Sequence, residues 1–374
     1  MAKTKSHDIK SIDSNIYQAA LERMEYVFDN FDHVFVSFSG GKDSTAALQV
    51  ALEVARQKKR LPLRVITFDE ECIPPQTVEY MQRVSENPDI NFEWYCMPIK
   101  HRNACSRKQP YWYPWNPDKK HLWVRPLPES AITDMPKFER TGIPELLGVL
   151  APKKYGTVAA VLGIRCAESL TRRRAVTCKS GFKAFISSTP FKHIRKAYPV
   201  YDWSNEDVWR VPKQMGWDYN QAYDVMQRRG IPVHSARCSP PFGDQPVKGL
   251  FKFNQCWPEM LYRRNIVEKP EGLTYKQWTL QMIDKLEGKA KIECQNGLKR
   301  MIKMHRNKSG DGSVLPDETP NPKSGLSWKL LTLYGVVGSD KLNRTTQRIG
   351  SQSISFREGN YLEKRKQAEQ SADK

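Results

Sequence analysis

The chain has 374 residues and a formal net charge of +19 at pH 7. That length allows one full hydrophobic core with appended segments. The longest apolar runs, 158–164 and 330–337, are shorter than a bilayer requires, so we expect no membrane span. Residues 1–7 carry positive charges without a following apolar stretch, which predicts a cytoplasmic protein without a signal peptide.

Helices and short apolar strands alternate along the first half of the chain. The predicted helices are 15–31, 43–58 and 75–86. The strand candidates are 34–38, 63–68, 92–97 and 157–164. This alternation predicts an α/β fold, a doubly wound parallel sheet with helices on both faces. Ligands of such sheets bind beyond the carboxyl ends of the strands.

A glycine turn joins the first strand to its helix, and its sequence is Ser39-Gly40-Gly41-Lys42-Asp43-Ser44. Adjacent glycines can adopt positive φ and let backbone N–H groups meet an anion, while the lysine and the serine hydroxyls add a cation and donors. The helix N-terminus contributes further unpaired N–H groups. The turn therefore predicts a nucleotide or pyrophosphate site, the alternative being a tight connection without a ligand.

Three further segments follow the glycine turn. They are Asp69-Glu70-Glu71 with Thr77, Gly163-Ile164-Arg165-Cys166-Ala167-Glu168-Ser169 with Arg172, and Tyr198 to Trp209 continued by Tyr219-Asn220 and Tyr223-Asp224. With the glycine turn, they resemble the phosphoadenylyl-sulfate (PAPS) reductase family of the PP-loop ATP pyrophosphatase superfamily over about residues 30–240. The resemblance implies an adenine nucleotide alpha-hydrolase-like fold.

The resemblance also implies roles for individual residues. The glycine turn would hold the phosphates, with Asp43 either in the chemistry or only capping the helix. Asp69 would contact ribose or adenine, accompany a metal, or serve as a structural strand end. Arg165 and Arg172 would reach a second anionic group. The candidates for catalysis are Lys42, Asp69 and Arg165. The candidates for nucleotide binding are Ser39, Gly40, Gly41, Lys42, Asp43, Ser44, Asp69, Gly163, Arg165 and Arg172.

Two reactions fit this pattern. Reductases of the family carry a nucleophilic cysteine in an E-C-G-x-H-type motif, and Glu293-Cys294 is present here without the following Gly and His. Cys294 is therefore the nucleophile only if the chain reduces PAPS to sulfite. The leading hypothesis is adenylyl or sulfur transfer, in which a substrate oxygen attacks the α-phosphate of ATP and pyrophosphate leaves, with Mg²⁺ neutralising its charge. A non-catalytic, nucleotide-binding regulator is a third hypothesis.

Eight cysteines are scattered without a CxxC pair, which is typical of reduced thiols in a reducing compartment. The alternative is an iron–sulfur or metal site drawn from Cys166, Cys178, Cys238 and Cys256. We predict no other metal ligands.

Basic residues cluster in three stretches, one of which, 165–183, includes Arg172, Arg173 and Arg174. Residues 100–125 hold seven Lys or Arg against one Asp, interleaved with Tyr111, Trp112, Tyr113, Trp115 and Trp123. Residues 299–308 add Lys299, Arg300, Lys303, Arg306 and Lys308. Such patches attract polyanions, and aromatic rings can stack on bases, so we expect nucleic acid or a nucleic-acid-binding protein as a partner. The alternative is a solvated basic face over a packed core.

The predicted domain organisation follows composition. A nucleotide-binding domain spans 1–240, with the aromatic and basic insertion at about 100–128. A basic, helical extension follows at 241–308, a Gly, Ser and Pro-rich linker at 309–325, and a C-terminal element and tail at 326–374.

Overall fold

The computed structural model describes residues 15–103, 111–135, 138, 142–168, 172–173, 176, 183–243, 250–263 and 269–333. The chain divides into two compact units. The first comprises 1–97, 127–224 and 236–238, and the second 98–126, 225–235 and 239–374. The aromatic and basic stretch thus belongs with the C-terminal region, because packing groups it there and not with its neighbours in sequence.

Strands alternate with helices in the first unit. The second unit is mainly helical and contains the two short strands β4 and β5. The strands are β1 (His33–Ser37), β2 (Leu63–Phe68), β3 (Ile90–Tyr95), β4 (His101–Arg102), β5 (Tyr111–Trp112), β6 (Ala131–Ile132), β7 (Val158–Leu162), β8 (Ile186–Ser188) and β9 (Ile194–Ala197). The helices are α1 (Ile16–Asn30), α2 (Lys42–Gln57), α3 (Pro75–Ser85), α4 (Ile143–Leu150), α5 (Asp207–Met215), α6 (Ala222–Arg228), α7 (Leu250–Cys256), α8 (Pro258–Arg263), α9 (Tyr275–Asp284), α10 (Gly288–Ser309) and α11 (Trp328–Leu333).

Seven strands form the sheet of the first unit, in the order β6-β3-β2-β1-β7-β9-β8. All neighbouring strands are parallel except β8 and β9, which are antiparallel. The predicted doubly wound parallel sheet is confirmed. Strand order reverses at β1, which lies between β2 and β7, and ligands of such sheets bind at this switch point.

Burial explains why the central strands are apolar throughout. Val158, Ala159, Ala160 and Val161 of β7 are all buried, as expected for a parallel strand covered on both faces. The three strands of this sheet that the sequence did not predict, β6, β8 and β9, lie towards its two edges and are two to four residues long. Segments this short carry no periodicity to detect.

Helix α2 begins at the switch point, and most of its residues between Ser44 and Ala55 are buried. Gly41 is its N-cap residue and offers no side-chain hydrogen bond. The first backbone N–H groups of α2 are therefore not satisfied by a capping side chain.

A buried arginine of α1 forms hydrogen bonds with residues 199–202, which follow β9. Arg23 Nη1 donates to the Pro199 carbonyl oxygen at 2.8 Å and to Asp202 Oδ1 at 2.8 Å, and Nη2 donates to Asp202 Oδ2 at 2.6 Å. The guanidinium also lies 4.6 Å from the ring centroid of Tyr201. This anchor fixes residues 199–202 next to the site described below.

Residues 309–325, the predicted linker, lie in the second unit and contact α10. Buried His305 of α10 has Nδ1 2.7 Å from Ser324 Oγ and Nε2 3.0 Å from the Ser313 carbonyl oxygen. Leu315 is also buried. Glycine and proline mark turns whether or not a chain is fixed, so composition alone suggested flexibility. The predicted tail at 334–374 lies outside the described residues.

Across the described ranges, no helix combines the length and the apolar character needed to cross a membrane.

Replacing Arg23 by methionine should lower the free energy of unfolding by about 3 kcal/mol, because Asp202 would keep a partly buried charge without its partner. Urea unfolding monitored by circular dichroism measures the change. The control is Lys58→Met, whose exposed pair with Asp29 contributes at most about 1 kcal/mol. Equal losses in the two variants would contradict a special role for Arg23.

Candidate functional site

The glycine turn lies between β1 and α2. Gly40 has φ +68°, in the left-handed region, and a Cβ there would lie 2.8 Å from Thr77 Cγ2 of α3. Both its conformation and the close approach of α3 therefore require glycine. Gly41 has an ordinary φ of −84°, and a Cβ there would meet no atom closer than 3.5 Å.

Backbone amides in this turn are open to a ligand. In the described part of the chain, no acceptor contacts the N–H groups of Gly40, Gly41, Asp43 or Ser44, whereas the Thr45 N–H bonds to the Gly41 carbonyl oxygen at 2.9 Å. Successive unpaired amides at a helix start bind anions, since they combine donors with the positive end of the helix dipole. The turn thus has the chemistry of an anion site.

The serine hydroxyls brace the turn. Ser44 Oγ donates to the Gly41 carbonyl oxygen at 2.9 Å and accepts from the Ser39 N–H at 3.3 Å. The two hydroxyl oxygens are 3.1 Å apart. Lys42 Nζ lies 3.3 Å from Asp43 Oδ2, so the cation predicted to meet phosphate rests beside a carboxylate in this structure.

A buried ion pair joins the ends of β1 and β7. Arg165 Nε bonds to Asp43 Oδ1, and Arg165 is only 1% exposed. Its Nη1 donates to the Trp203 carbonyl oxygen at 3.1 Å and its Nη2 to Asn205 Oδ1 at 3.1 Å. All three guanidinium nitrogens therefore contact protein atoms. Arg165 lies at the predicted site, in a position that orients Asp43.

Gly163 allows this approach. A Cβ on Gly163 would lie 2.3 Å from the Asp43 carbonyl oxygen and 2.5 Å from the Ser44 nitrogen. The chain after β7 thus passes directly against the backbone at the start of α2, where no other residue fits without movement.

Further arginines lie near this pair. Arg172 Nη1 bonds to Glu168 Oε2. Burial and the positive charges of Arg237 and Arg165 lower the pKa of Arg172, while the Asp43 carboxylate acts in the opposite direction. Arg172 thus has charges of both signs nearby and pairs with Glu168. Ser169 of the same motif lies outside the described residues.

The carboxylates after β2 differ in environment. Asp69 is 1% exposed, and its oxygens accept from the Glu71 N–H at 2.7 Å and from Trp94 Nε1 at 2.8 Å. These hydrogen bonds fit a structural role for Asp69 at the end of β2. Burial, with the neighbouring Asp69 charge, raises the pKa of Glu70 to about 7. Sequence reasoning gave Glu70 no role of its own.

Residues 220–238 supply partners that the sequence prediction lacked. Asn220 Nδ2 donates to the Gly40 carbonyl oxygen and to Thr77 Oγ1, both at 2.8 Å. The Lys42 N–H donates to the Tyr223 hydroxyl at 3.0 Å. Cys238 Sγ lies 3.4 Å from Asn220 Nδ2, and burial raises the pKa of this thiol to about 11. Asn220 and Tyr223 belong to the fourth resembling segment, which was the available signal.

The structure does not bring Cys294 into this unit. Cys294 lies within α10 of the second unit and is 0% exposed. Cys166, Cys238 and Cys256 are free thiols, and Cys178 lies outside the described residues. Among the residues that the structure describes, no three His, Cys, Asp or Glu side chains are grouped as metal ligands.

The aromatic residues of 98–126 are largely packed against one another. Trp112 and Trp115 are buried, and Trp115 meets Trp123 edge-on with ring centroids 5.1 Å apart. Trp112 contacts Phe242 in the same way at 5.6 Å. Buried rings are not available to stack on bases, so these two tryptophans serve the core of the second unit. Residues 104–110 lie outside the described residues.

A parallel sheet with open amides at its switch point is an arrangement with which α/β proteins bind anions. The sequence pattern of the family described as the phosphoadenosine phosphosulfate reductase domain matches residues 33–229, more than half of the 374 residues. The chain belongs to this family. It is also 28% identical over 320 residues to the uncharacterized protein YbdN of Escherichia coli (strain K12), covering 75% of this chain and 78% of YbdN.

Two solved structures show weaker similarity. PAPS reductase from Candida auris, in a phosphate complex, is 18% identical and covers 55% of this chain and 84% of its own, with a TM-score of 0.32. FMN adenylyltransferase from Candida glabrata, with FAD and inorganic pyrophosphate, is 13% identical and covers 58% and 63%, with a TM-score of 0.35. Sequence identities and TM-scores this low carry no argument about the reaction of this chain.

Replacing Gly163 by alanine should lower the free energy of unfolding by about 1–3 kcal/mol, because the added methyl group overlaps the backbone of Asp43. Gly41→Ala is the matched control in the same site, and without a close contact it should cost at most about 1 kcal/mol. Urea unfolding compares the two. A Gly163→Ala protein as stable as the wild type would contradict the close approach.

Glu70 predicts a pH dependence of stability in the absence of nucleotide. Its pKa is 4.5 in the reference state and about 7 in the folded protein. Between these values the folded state keeps a proton that the unfolded chain has lost, so stability falls as pH rises through this window. Relative to Glu70→Gln, the wild type should lose about 1–3 kcal/mol across it. Urea unfolding of both proteins at several pH values tests this, and parallel curves would refute it.

Proposed function

We propose that this chain binds ATP through the glycine turn and transfers the adenylyl group to an acceptor, releasing pyrophosphate. The proposal is carried by the open amides of Gly40, Gly41, Asp43 and Ser44 at the start of α2. Donors held in place before the reaction stabilise charge as it develops on a leaving group. The bond between the α-phosphorus and the bridging oxygen breaks, and the pyrophosphate produced stays at these amides until its release.

Lys42, Arg165 and Arg172 have separate roles in this proposal. Lys42 Nζ, now 3.3 Å from Asp43, would move to the phosphates as a point charge. Arg165 holds Asp43 and so fixes the first turn of α2. Arg172, near the positive charges of Arg165 and Arg237, would meet a further anionic group of the nucleotide or of the acceptor.

Magnesium accompanies ATP in this proposal. Mg²⁺ is held largely by phosphate oxygens, with one or two carboxylates of the protein. Asp69, whose oxygens accept from Glu71 and Trp94, and Glu70 next to it are the two carboxylates at the end of β2 that would take that role. When bound, the ion neutralises charge on the leaving pyrophosphate.

Two observations argue against the PAPS reductase alternative. Reduction needs an accessible thiolate, and Cys294 is buried within α10. Cys238, whose sulfur lies 3.4 Å from Asn220 Nδ2, has its pKa raised to about 11 and is therefore protonated at neutral pH. Neither cysteine has the environment of a nucleophile.

Lys42→Ala should lower the rate of pyrophosphate release from ATP by about 10- to 100-fold, the value of one charge-assisted hydrogen bond. Cys294→Ser should leave that rate unchanged. Incubation with ATP and Mg²⁺, and separately with PAPS and a thiol donor, followed by mass analysis of the products, measures both reactions. Lys58→Ala, at an exposed lysine of the same unit, is the control.

The outcomes separate three hypotheses. Sulfite release from PAPS that Cys294→Ser abolishes would establish a reductase in place of adenylyl transfer. Nucleotide binding without either product, with every candidate acceptor, would instead indicate a nucleotide-binding regulator. The free thiols of the described residues fit the reducing cytoplasm in all three cases.

Nucleic acid is the acceptor or partner that the charge of α10 favours. Lys299, Arg300, Lys303 and Arg306 are exposed, and within the described residues no carboxylate lies at salt-bridge distance from them. Lys299, Lys303 and Arg306 follow helical spacing and share one face of α10. A row of cations without acidic partners suits the phosphates of a nucleic acid backbone.

Changing Lys299, Arg300, Lys303 and Arg306 to alanine together should make the salt dependence of duplex DNA binding shallower by about 3 in the slope of log K against log salt. The control removes the same charge from the exposed residues Lys153, Lys154, Lys192 and Lys213. Fluorescence anisotropy at several salt concentrations measures the slopes. Equal slopes for the wild type and the α10 variant would show that this helix does not contact the DNA phosphates.

A further inference from the structure

Tyr223 contacts the glycine turn through both its hydroxyl and its ring. The hydroxyl accepts the Lys42 N–H at 3.0 Å, and the ring centroid lies 5.6 Å from Lys42 Nζ. The ring is held edge-on by Trp209, with centroids 4.9 Å apart, and Tyr223 is only 7% exposed. In the structure, this packing holds the hydroxyl against the Lys42 N–H.

The hydroxyl also lies near the Cys238 thiol. Burial, followed by Cys238, raises the pKa of Tyr223 well above its usual range. Tyr223 is therefore a neutral phenol that accepts from the Lys42 N–H and keeps its own O–H as a donor.

The Lys42 amide is the exception in the glycine turn. In the described part of the chain, the amides of Gly40, Gly41, Asp43 and Ser44 have no acceptor, whereas that of Lys42 is already bound by Tyr223. One N–H group cannot form a full hydrogen bond to both a hydroxyl and a phosphate oxygen. Moreover, a Cβ on Gly41 would lie 3.5 Å from the Tyr223 hydroxyl, so this oxygen borders the open side of the turn.

We infer that the Tyr223 hydroxyl occupies the position of one phosphate oxygen and that pyrophosphate must displace it from the Lys42 amide. The inference rests on the proposed function. Tyr223 is thus a positioning residue. It orders the turn before a ligand binds, and it lowers the affinity for pyrophosphate because it competes for the Lys42 amide.

The test uses Tyr223→Phe, which removes the hydroxyl and keeps the ring. Titration calorimetry of the full chain with inorganic pyrophosphate should show binding about 2- to 10-fold tighter than in the wild type, the value of one neutral hydrogen bond. Affinity for adenosine, which lacks phosphates, should not change. In stopped-flow experiments, pyrophosphate should leave the variant more slowly.

A matched control separates this effect from the loss of any buried hydroxyl. Tyr198→Phe removes a hydroxyl that lies 2.7 Å from Ser187 Oγ in the same unit, and it should leave pyrophosphate affinity unchanged. Circular dichroism checks that both variants are folded. If Tyr223→Phe binds pyrophosphate no more tightly than the wild type, or if its adenosine affinity changes in parallel, Tyr223 is only structural. A wild type that binds no pyrophosphate would instead refute the proposed function.

Discussion

The buried pair between Arg165 and Asp43 is the interaction on which the site depends. A guanidinium that is 1% exposed must be paired, and this one has three partners, on α2 and on residues 203–205. Because Arg23 anchors the preceding residues to α1, the pair connects the first helix, the end of β7 and the start of α2. The first turn of α2 is thereby fixed before any ligand binds.

The glycine turn works within that fixed frame. Gly40 and Gly163 are required by close backbone approaches, one to α3 and one to α2. Asn220 and Tyr223 contact the turn from a later part of the chain, at the Gly40 carbonyl oxygen and the Lys42 amide. The result is a set of amide donors whose geometry does not depend on the ligand. In the proposed reaction, such preorganisation would stabilise the leaving pyrophosphate.

The sequence predicted much of this arrangement, and what it missed has physical causes. The apolar runs at 34–38 and 63–68 and the glycine turn are local patterns, and β1, β2 and α2 lie where they indicate. The role of Arg165 as the partner of Asp43, 122 positions away, depends on which strands adjoin in the sheet. Tyr223 was within a resembling segment, yet its bond to Lys42 requires the position of α6. Likewise, composition at 309–325 could not reveal that His305 holds that loop.

The account rests on the claim that the start of α2 binds the phosphate tail of an adenine nucleotide. Titration calorimetry of the folded wild-type chain with ATP, PAPS and inorganic pyrophosphate tests it most directly. The account predicts saturable heat with ATP and with pyrophosphate alone, because the tail itself provides the binding group. Folded protein that gives no heat with any of the three ligands would contradict it.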